Sequence, residues 1–273
     1  LDASKSEIRA LERKQIPASH RALIAFEPEV VLPWQTKDFA ERNFSFSRWV
    51  GRPKSPTSEY WPQIFEMGEV DPSNEVDCTM MTSNKLSFVK GELYSLRRDA
   101  IRNVPGLRLV GSGWRTSVTG RTLAYLRSAG FHIAQGRFLE AGNFDYLTMS
   151  ADSEFVESKQ QWLSKSRVSL VFENSCEYSS EKAFDCLRAF SIPVYVGAAN
   201  SMPASIEDLI FRARPNINSV LAALELVKTV NYEQWSERVA YALSNEELRS
   251  TIEERSVFSR LSRGVADWAH SSS

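Results

Sequence analysis

The stretch Ser169–Gly197, SLVFENSCEYSSEKAFDCLRAFSIPVYVG, predicts the fold of most of this chain. An apolar run of strand length, Ser169–Phe172, is followed by a polar loop and a helix that begins near Ser180. A second apolar strand, Pro193–Val196, is closed by Gly197. A strand–loop–helix–strand unit builds a parallel sheet, and parallel sheets hold their ligands at the carboxyl ends of their strands. We therefore expect the polar loop to contribute to a binding site.

Strand-like and helix-like segments alternate from residue 76 onward. Val76–Thr82 predicts a strand, and Glu92–Asn103 predicts the helix that follows it. A composition rich in turn residues at Gly68–Asn74 predicts a domain boundary close to residue 75. We therefore expect an α/β protein divided into residues 1–75 and residues 76–273, with a doubly wound domain in the second part.

Charged residues lie at the ends of other predicted elements. The apolar run Arg21–Glu27 ends at Glu27, whose carboxylate lies either in a site or at a solvated strand end. Arg97 and Arg98 lie in the first helix of the second domain, where guanidinium and backbone N–H groups can share one anion. Either arginine could instead lie on a solvated helix face. Ser153–Ser164 predicts a helix that leads into the central stretch.

The composition argues against several classes of protein. A formal net charge of −1 and a pI of about 6.4 provide no basic field for nucleic acid, so an anionic ligand requires a local cluster of cations. The three histidines are scattered, which disfavours a zinc site or a Ser-His-Asp triad. The odd number of cysteines, three, predicts reduced thiols rather than a disulfide framework.

The sequence also bears on the compartment. No apolar run approaches the roughly 20 residues that span a bilayer, and no signal-peptide pattern opens the chain. We therefore expect a soluble protein of the cytoplasm, as in bacteria, or of the Golgi lumen if a membrane anchor was removed. The chain begins at Leu1 and could be cut from something longer. Peripheral membrane association stays open.

The central stretch is similar to the signature of the family 10 glycosyltransferases, the α1,3/4-fucosyltransferases. Three linked motifs carry the resemblance in the family's order: Phe172-Glu173-Asn174-Ser175, Tyr178-Ser179-Ser180-Glu181-Lys182 and Ile192-Pro193-Val194-Tyr195-Val196-Gly197. Ser83-Asn84, the helix with Arg97 and Arg98, and Glu27 resemble further family positions. The resemblance covers residues 20–245.

The resemblance implies a GT-B architecture of two facing Rossmann-like domains with parallel sheets. The N-terminal, acceptor-side domain would be shortened, because only 26 residues precede Glu27. The implied activity is that of an inverting fucosyltransferase, which moves fucose from GDP-fucose to a hydroxyl of a glycan or oligosaccharide acceptor in α1,3/4 linkage. No cofactor and no obligatory metal are implied. Another nucleotide-sugar donor on the same scaffold and an inactive donor-binding remnant stay open as alternatives.

The resemblance also implies catalytic roles for two carboxylates. Glu27 matches the general base, since the acceptor hydroxyl has to lose its proton as it attacks. Glu181 matches a carboxylate that contacts the sugar or ribose hydroxyls of the donor. Ser180 has the side chain of a good N-cap for the helix that follows, whose dipole and free N–H groups would lie near the nucleotide.

Cations are required to neutralise the charge that builds on the departing diphosphate. Lys182 matches one part of this clamp, and either Arg97 or Arg98 matches the other. Lys90 is a third candidate, because the loop is longer here than in several family members and Lys90 would occupy the arginine's position if the sequences were matched without a gap. The other donor-binding residues that the resemblance implies are Asn174, Tyr178 and Glu181.

Overall fold

Strands and helices alternate along the chain, as expected of an α/β protein. The computed structural model describes residues 5–28, 31–32, 36–52, 58–66, 76–115, 117–134 and 144–271. The strands are β1 (Ala22–Ala25), β2 (Phe46–Val50), β3 (Ser58–Glu59), β4 (Val76–Met81), β5 (Arg108–Val110), β6 (Ser166–Phe172), β7 (Ile192–Val196) and β8 (Phe211–Arg212). The helices are α1 (Lys5–Arg13), α2 (Lys37–Asn43), α3 (Tyr94–Asn103), α4 (Val118–Ala134), α5 (Asp145–Thr148), α6 (Lys159–Ser164), α7 (Lys182–Arg188), α8 (Ala204–Glu207), α9 (Ile217–Lys228), α10 (Tyr232–Leu243), α11 (Glu246–Ile252) and α12 (Glu254–Ser271).

The larger sheet contains β5, β4, β6, β7 and β8 in that spatial order, and every neighbouring pair is parallel. From β4 the chain passes through α3 to β5 on one side. From β6, on the other side of β4, it passes through α7 to β7 and then outward to β8. The direction of winding therefore reverses between β4 and β6, and such a switch point is where doubly wound sheets bind ligands.

The predicted strands of the central stretch are confirmed as the middle of this sheet. Ser169–Phe172 forms the second half of β6, and Pro193–Val196 forms most of β7. All five residues of β7 are buried, which explains its unbroken apolar sequence. The helices that cover the sheet contribute buried side chains such as Phe184, Leu187 and Trp235. Each such side chain stabilises the fold by about 1.5–3 kcal/mol relative to an exposed position.

The smaller sheet contains β1, β2 and β3, again in parallel pairs. Its cover includes α12, the last helix of the chain, because Val50 of β2 is buried against Val257 and Leu261. The guanidinium of Arg260 also pairs with the carboxylate of Glu59 at 3.0 Å. The expected α/β class with parallel sheets is therefore confirmed. The predicted division between residues 75 and 76 stays a prediction, since its segment lies outside the described residues.

The predicted helix Ser153–Ser164 is wrong over its first half. Only α6 is helical, and Ser158 caps it by accepting a hydrogen bond from the backbone N–H of Gln161 at 3.3 Å. Upstream of this cap, Glu154 forms a parallel bridge with Val110, the last residue of β5. Pairing with a distant strand satisfies the backbone there, so the local helical pattern does not decide the structure.

The two sheets meet at the carboxyl end of β2. The backbone N–H of Ser179 donates to the carbonyl of Gly51 at 2.8 Å, and the rings of Trp61 and Tyr178 pack edge to face with their centroids 5.7 Å apart. Gly51 has φ of +72°, and a Cβ added to it would lie 2.1 Å from the carbonyl oxygen of Ser179. Glycine is therefore required where the loop after β6 approaches β2.

We expect the substitution Gly51→Ala to lower the free energy of unfolding by at least about 1–3 kcal/mol, because the left-handed backbone is strained for alanine and the added methyl overlaps backbone. Gly130→Ala is the matched control, since nothing lies within 4 Å of its added Cβ and residue 130 lies in a helix. Denaturant unfolding of both variants measures the difference. Equal stabilities would contradict the close approach at Gly51.

Candidate functional site

A cavity of about 280 Å³ opens at the switch point of the larger sheet. Thr82 and Ser83 line it from the end of β4, Gly111 from the end of β5 and Asn174 from the end of β6. The cations that line it are Lys85, Arg97, Lys159 and Lys182. Among the described residues of its lining there is no aspartate or glutamate. The cavity therefore has the position and the charge expected of an anion site.

Lys182 belongs to a buried hydrogen-bonded cluster. Its ammonium donates to Oε2 of Glu173 at 2.7 Å and to Oγ of Ser180 at 3.0 Å. The side chain of Glu173 is fully buried, and it also accepts from the backbone N–H and the hydroxyl of Ser180, both at 2.8 Å. The hydroxyl of Tyr195 donates to Oε1 of Glu173 at 3.3 Å. A buried carboxylate is tolerated when it is matched by donors in this way.

The same cluster keeps Tyr195 in its neutral form. Burial raises the pKa of Tyr195 well above its usual value, and the negative charge of Glu173 raises it further. The phenol hydroxyl therefore stays protonated and available as a donor. Gly197 leaves the space for this contact, since an added Cβ there would lie 2.3 Å from the Tyr195 hydroxyl.

The prediction that Ser180 caps the helix is wrong. Helix α7 begins at Lys182, Glu181 occupies the N-cap position, and no side chain caps the first turn. The hydroxyl of Ser180 instead donates to Glu173 and accepts from Lys182. Glu173 is removed from water, so its oxygens depend on protein donors. The hydroxyl of Ser180 therefore binds Glu173 and does not cap the helix.

Arg97 anchors the loop after β6. Its side chain is 2% exposed, and Nη2 donates to the carbonyls of Phe172 and Glu173 at 2.9 and 2.8 Å and to Oδ1 of Asn174 at 3.2 Å. The guanidinium also lies over the ring of Tyr94, 4.6 Å from its centroid. Burial lowers the pKa of Arg97 to about 10, so the group stays charged at neutral pH. Arg97 thus fixes the position of Asn174 while it lines the cavity.

The structure separates the three candidates for the clamp position. Arg98 is fully buried, donates to the carbonyl of Lys85 at 3.2 Å and lies with its Nε 3.0 Å from the carboxylate of Asp145. Lys90 is exposed and, like Arg98, is absent from the described lining of the cavity. Of these three residues, Arg97 lies at the cavity, although its role toward a ligand stays a prediction.

Glu181 is absent from the described lining of the cavity, but it pairs with Lys159, which lines the cavity together with Lys182. The ammonium of Lys159 lies 3.5 Å from Glu181 and also pairs with the carboxylate of Asp185. Burial acts to raise the pKa of Glu181, but the charges of Lys182 and Lys159 together lower it below its usual value. Glu181 is therefore ionised at neutral pH. Lys159 reaches the cavity from α6 and belongs to none of the motifs of the central stretch, so no sequence pattern marked it as a site residue.

Glu27 approaches the larger sheet from the end of β1. Its side chain is half-buried, and its carbonyl accepts from Nη2 of Arg52 at 2.7 Å. Burial raises the pKa of Tyr94 to about 12; the charge of Arg97 opposes this, and the charge of Glu27 adds to it. Glu27 is thus electrostatically coupled to the helix that carries Arg97. Tyr178 lies at the contact between the sheets and is absent from the described lining of the cavity.

The described residues were also compared with the requirements of a metal site, a disulfide and a membrane-spanning helix. No three His, Cys, Asp or Glu side chains come together there as ligands of one metal ion would. The three cysteines, Cys78, Cys176 and Cys186, are free thiols, as predicted. None of the described helices combines the length and the apolar character that crossing a membrane requires.

We expect Arg97→Lys to lower the free energy of unfolding by about 1.5–3 kcal/mol, because the ammonium of lysine ends one bond short of Nη2, the nitrogen that donates every hydrogen bond described from Arg97 to the loop after β6. Arg102→Lys on the same helix is the control, since that side chain is 40% exposed and pairs with the carboxylates of Asp99 and Asp145 rather than with the loop after β6. Urea denaturation measures both variants. A loss no larger in Arg97→Lys than in Arg102→Lys would contradict the anchoring role.

The chain is similar to solved structures of glycosyltransferases. No family model matches the chain, and no curated protein matches it. Among solved structures, it is similar to an α1,3-fucosyltransferase, with 13% identity, a TM-score of 0.38, and coverage of 72% of this chain and 47% of that one. It is also similar to a glycosyltransferase from Rickettsia africae (11% identity, TM-score 0.47, coverage 98% and 68%) and to TarM (9%, 0.43, 94% and 57%). The chain thus spans about half the length of the fucosyltransferase that it matches.

Proposed function

We propose that this protein is a glycosyltransferase of GT-B architecture that binds a nucleotide-sugar donor at the switch point of its larger sheet. The observation that carries this proposal is the cavity there, which is lined by four cations and, in its described part, by no carboxylate. A diphosphate is the part of such a donor that needs this charge, since negative charge builds on it as the sugar leaves. Lys182 and Arg97 are the proposed diphosphate ligands, and Lys85 adds to the local positive charge, whereas the charge of Lys159 is balanced by Glu181 and Asp185.

The finer proposal is that the donor is GDP-fucose. It is supported by the resemblance of the motifs FENS, YSSEK and IPVYVG to those of the α1,3/4-fucosyltransferases. Glu181, ionised and paired with the cavity-lining Lys159, has the acceptor atoms that sugar or ribose hydroxyls require. Asn174 is the proposed neutral contact, because Arg97 orients its side-chain oxygen and leaves its amide nitrogen as a donor.

For the chemical step, we propose Glu27 as the general base. An acceptor hydroxyl of a glycan attacks the anomeric carbon of the donor sugar from the face opposite GDP, and its proton passes to the carboxylate of Glu27. The bond from sugar to diphosphate breaks with its electron pair on the phosphate oxygen, where the cations stabilise it. This proposal places the base on the smaller sheet and the diphosphate ligands on the larger one. The electrostatic coupling of Glu27 to Tyr94, in the helix of Arg97, supports it.

The proposal is tested by transfer from GDP-fucose to a panel of acceptors that contain galactose or N-acetylglucosamine. Thermal unfolding in the presence of several nucleotide sugars identifies the donor, since a ligand at 100 times its dissociation constant stabilises the protein by about 2.7 kcal/mol. Stabilisation by a different nucleotide sugar, with no effect of GDP-fucose, would favour the other-donor alternative. Binding of GDP without transfer or hydrolysis would favour the inactive remnant.

We expect Lys182→Ala to lower kcat/KM for the donor by about 10- to 150-fold, the equivalent of one charge-assisted hydrogen bond. Lys228→Ala is the control, because that lysine is 68% exposed and pairs with Glu225 on the surface of α9. Steady-state kinetics at varied donor concentration provides the comparison. If Lys182→Ala has the same kcat/KM for the donor as the wild type, Lys182 does not contribute to donor binding or to catalysis.

We expect Glu27→Gln to lower the transfer rate by about 100-fold or more while leaving the dissociation constant for GDP unchanged, because an amide cannot accept the acceptor's proton. Glu41→Gln on α2 is the control, since its carboxylate is 62% exposed in a surface pair with Lys37. Transfer assays and calorimetric titration with GDP separate chemistry from binding. Full transfer activity in Glu27→Gln would exclude it as the base.

A further inference from the structure

Two of the three N–H bonds of the Lys182 ammonium are used inside the protein. One donates to Oε2 of Glu173 at 2.7 Å and another to Oγ of Ser180 at 3.0 Å. An ammonium has three donors, so one remains for a ligand. The side chain of Lys182 is 24% exposed and lines the cation-lined cavity, which is the space that the third donor can reach.

The two acceptors that hold Lys182 are themselves fixed. Glu173 has no exposed side-chain surface, and its two oxygens also accept from the backbone N–H of Ser180, the hydroxyl of Ser180 and the hydroxyl of Tyr195. A Cβ added at Gly197 would lie 2.7 Å from Cγ of Glu173, so the backbone just after β7 closes that side. The carboxylate cannot turn without losing several hydrogen bonds at once, and the ammonium is held with it.

This arrangement changes what Lys182 contributes to binding. Its charge is balanced by Glu173 at 2.7 Å, so the pair adds little net positive charge to the cavity. Lys85 lines the same cavity but is exposed, and among the described residues no buried carboxylate holds its ammonium in place. A lysine that is already ordered loses less side-chain freedom when it binds an anion, and its remaining donor has a defined direction.

We propose that Glu173 and Ser180 are positioning residues that hold the Lys182 ammonium so that one N–H is directed at a phosphate oxygen in the cavity. The inference rests on the proposed function in one respect, the identity of the ligand as a diphosphate. Neither Glu173 nor Ser180 touches the ligand; both act through Lys182. The role also explains why the hydroxyl of Ser180 is bonded to Glu173 rather than to the end of α7.

A double-mutant cycle tests the coupling, with GDP as the probe and its dissociation constant measured by calorimetry. We expect Glu173→Gln and Ser180→Ala each to weaken GDP binding by about tenfold in the wild-type background, and to change it by less than about twofold in Lys182→Met. Ser180→Thr retains the hydroxyl, so its dissociation constant for GDP should equal that of the wild type. Equal effects of Glu173→Gln with and without Lys182 would overturn the proposal.

Ser166→Ala controls for a loss of stability alone. Its hydroxyl is buried and donates to the carbonyl of Trp162 at 3.1 Å, at the amino end of β6, and neither residue belongs to the described lining of the cavity. We expect this variant to lower stability without a change in GDP affinity. If Ser166→Ala weakens GDP binding as much as Ser180→Ala does, the effect of Ser180 is structural and the proposal fails.

A second measurement needs no ligand. Brief treatment with acetic anhydride, followed by mass spectrometry of peptides, reports the reactivity of Lys182 relative to Lys85 in the same chain. We expect Glu173→Gln and Ser180→Ala to raise the relative rate at Lys182 by about tenfold, because the amine loses partners that hold it. Unchanged rates would overturn the positioning role. A rise in rate in a protein that binds no GDP would support positioning while the proposed donor fails.

Discussion

The larger half of this structure depends on one buried carboxylate. Glu173 follows the central strand β6 and has no exposed side-chain surface, so every lone pair has to be matched by a protein donor. The donors come from Ser180 before α7, Lys182 in its first turn and Tyr195 in β7. A single charge therefore ties a strand, a loop, a helix and the neighbouring strand into one arrangement, and the cavity edge takes its shape from that arrangement.

The candidate site also depends on how the two sheets meet. Gly51 lets the loop after β6 reach the carboxyl end of β2, and the ring pair of Trp61 and Tyr178 packs beside this contact. The carboxyl ends of parallel strands from both sheets thereby face the same region, which brings Glu27 toward the helix of Arg97. Tyr178 lies in that contact and outside the described lining of the cavity, so it supports the site by packing between the sheets.

Elements whose structure depends on the local sequence pattern could be predicted. Elements whose hydrogen-bonding groups pair with distant segments of the chain could not. The buried strands β6 and β7 were predictable because both are continuous apolar runs between turn signals. Arg97 and Arg98 could not be distinguished, because consecutive helical residues point about 100° apart and only the packed neighbours decide which one faces the cavity. The helix start at Ser180 and the helix before Lys159 failed for a related reason: a buried carboxylate and a bridge to β5 took groups that the local pattern had assigned to helices.

The return of α12 to the smaller sheet has a consequence for the order in which the protein can form. Val50 and Phe26 belong to the first part of the chain, yet Val257, Leu261 and Phe258 cover them from its last helix. During synthesis the larger sheet and its helices are complete before these partners emerge. This part of the smaller sheet therefore lacks its cover until residues 254–271 have been synthesised. The length of the segment that builds the larger sheet sets the time for which these apolar side chains are exposed to proteases and to aggregation.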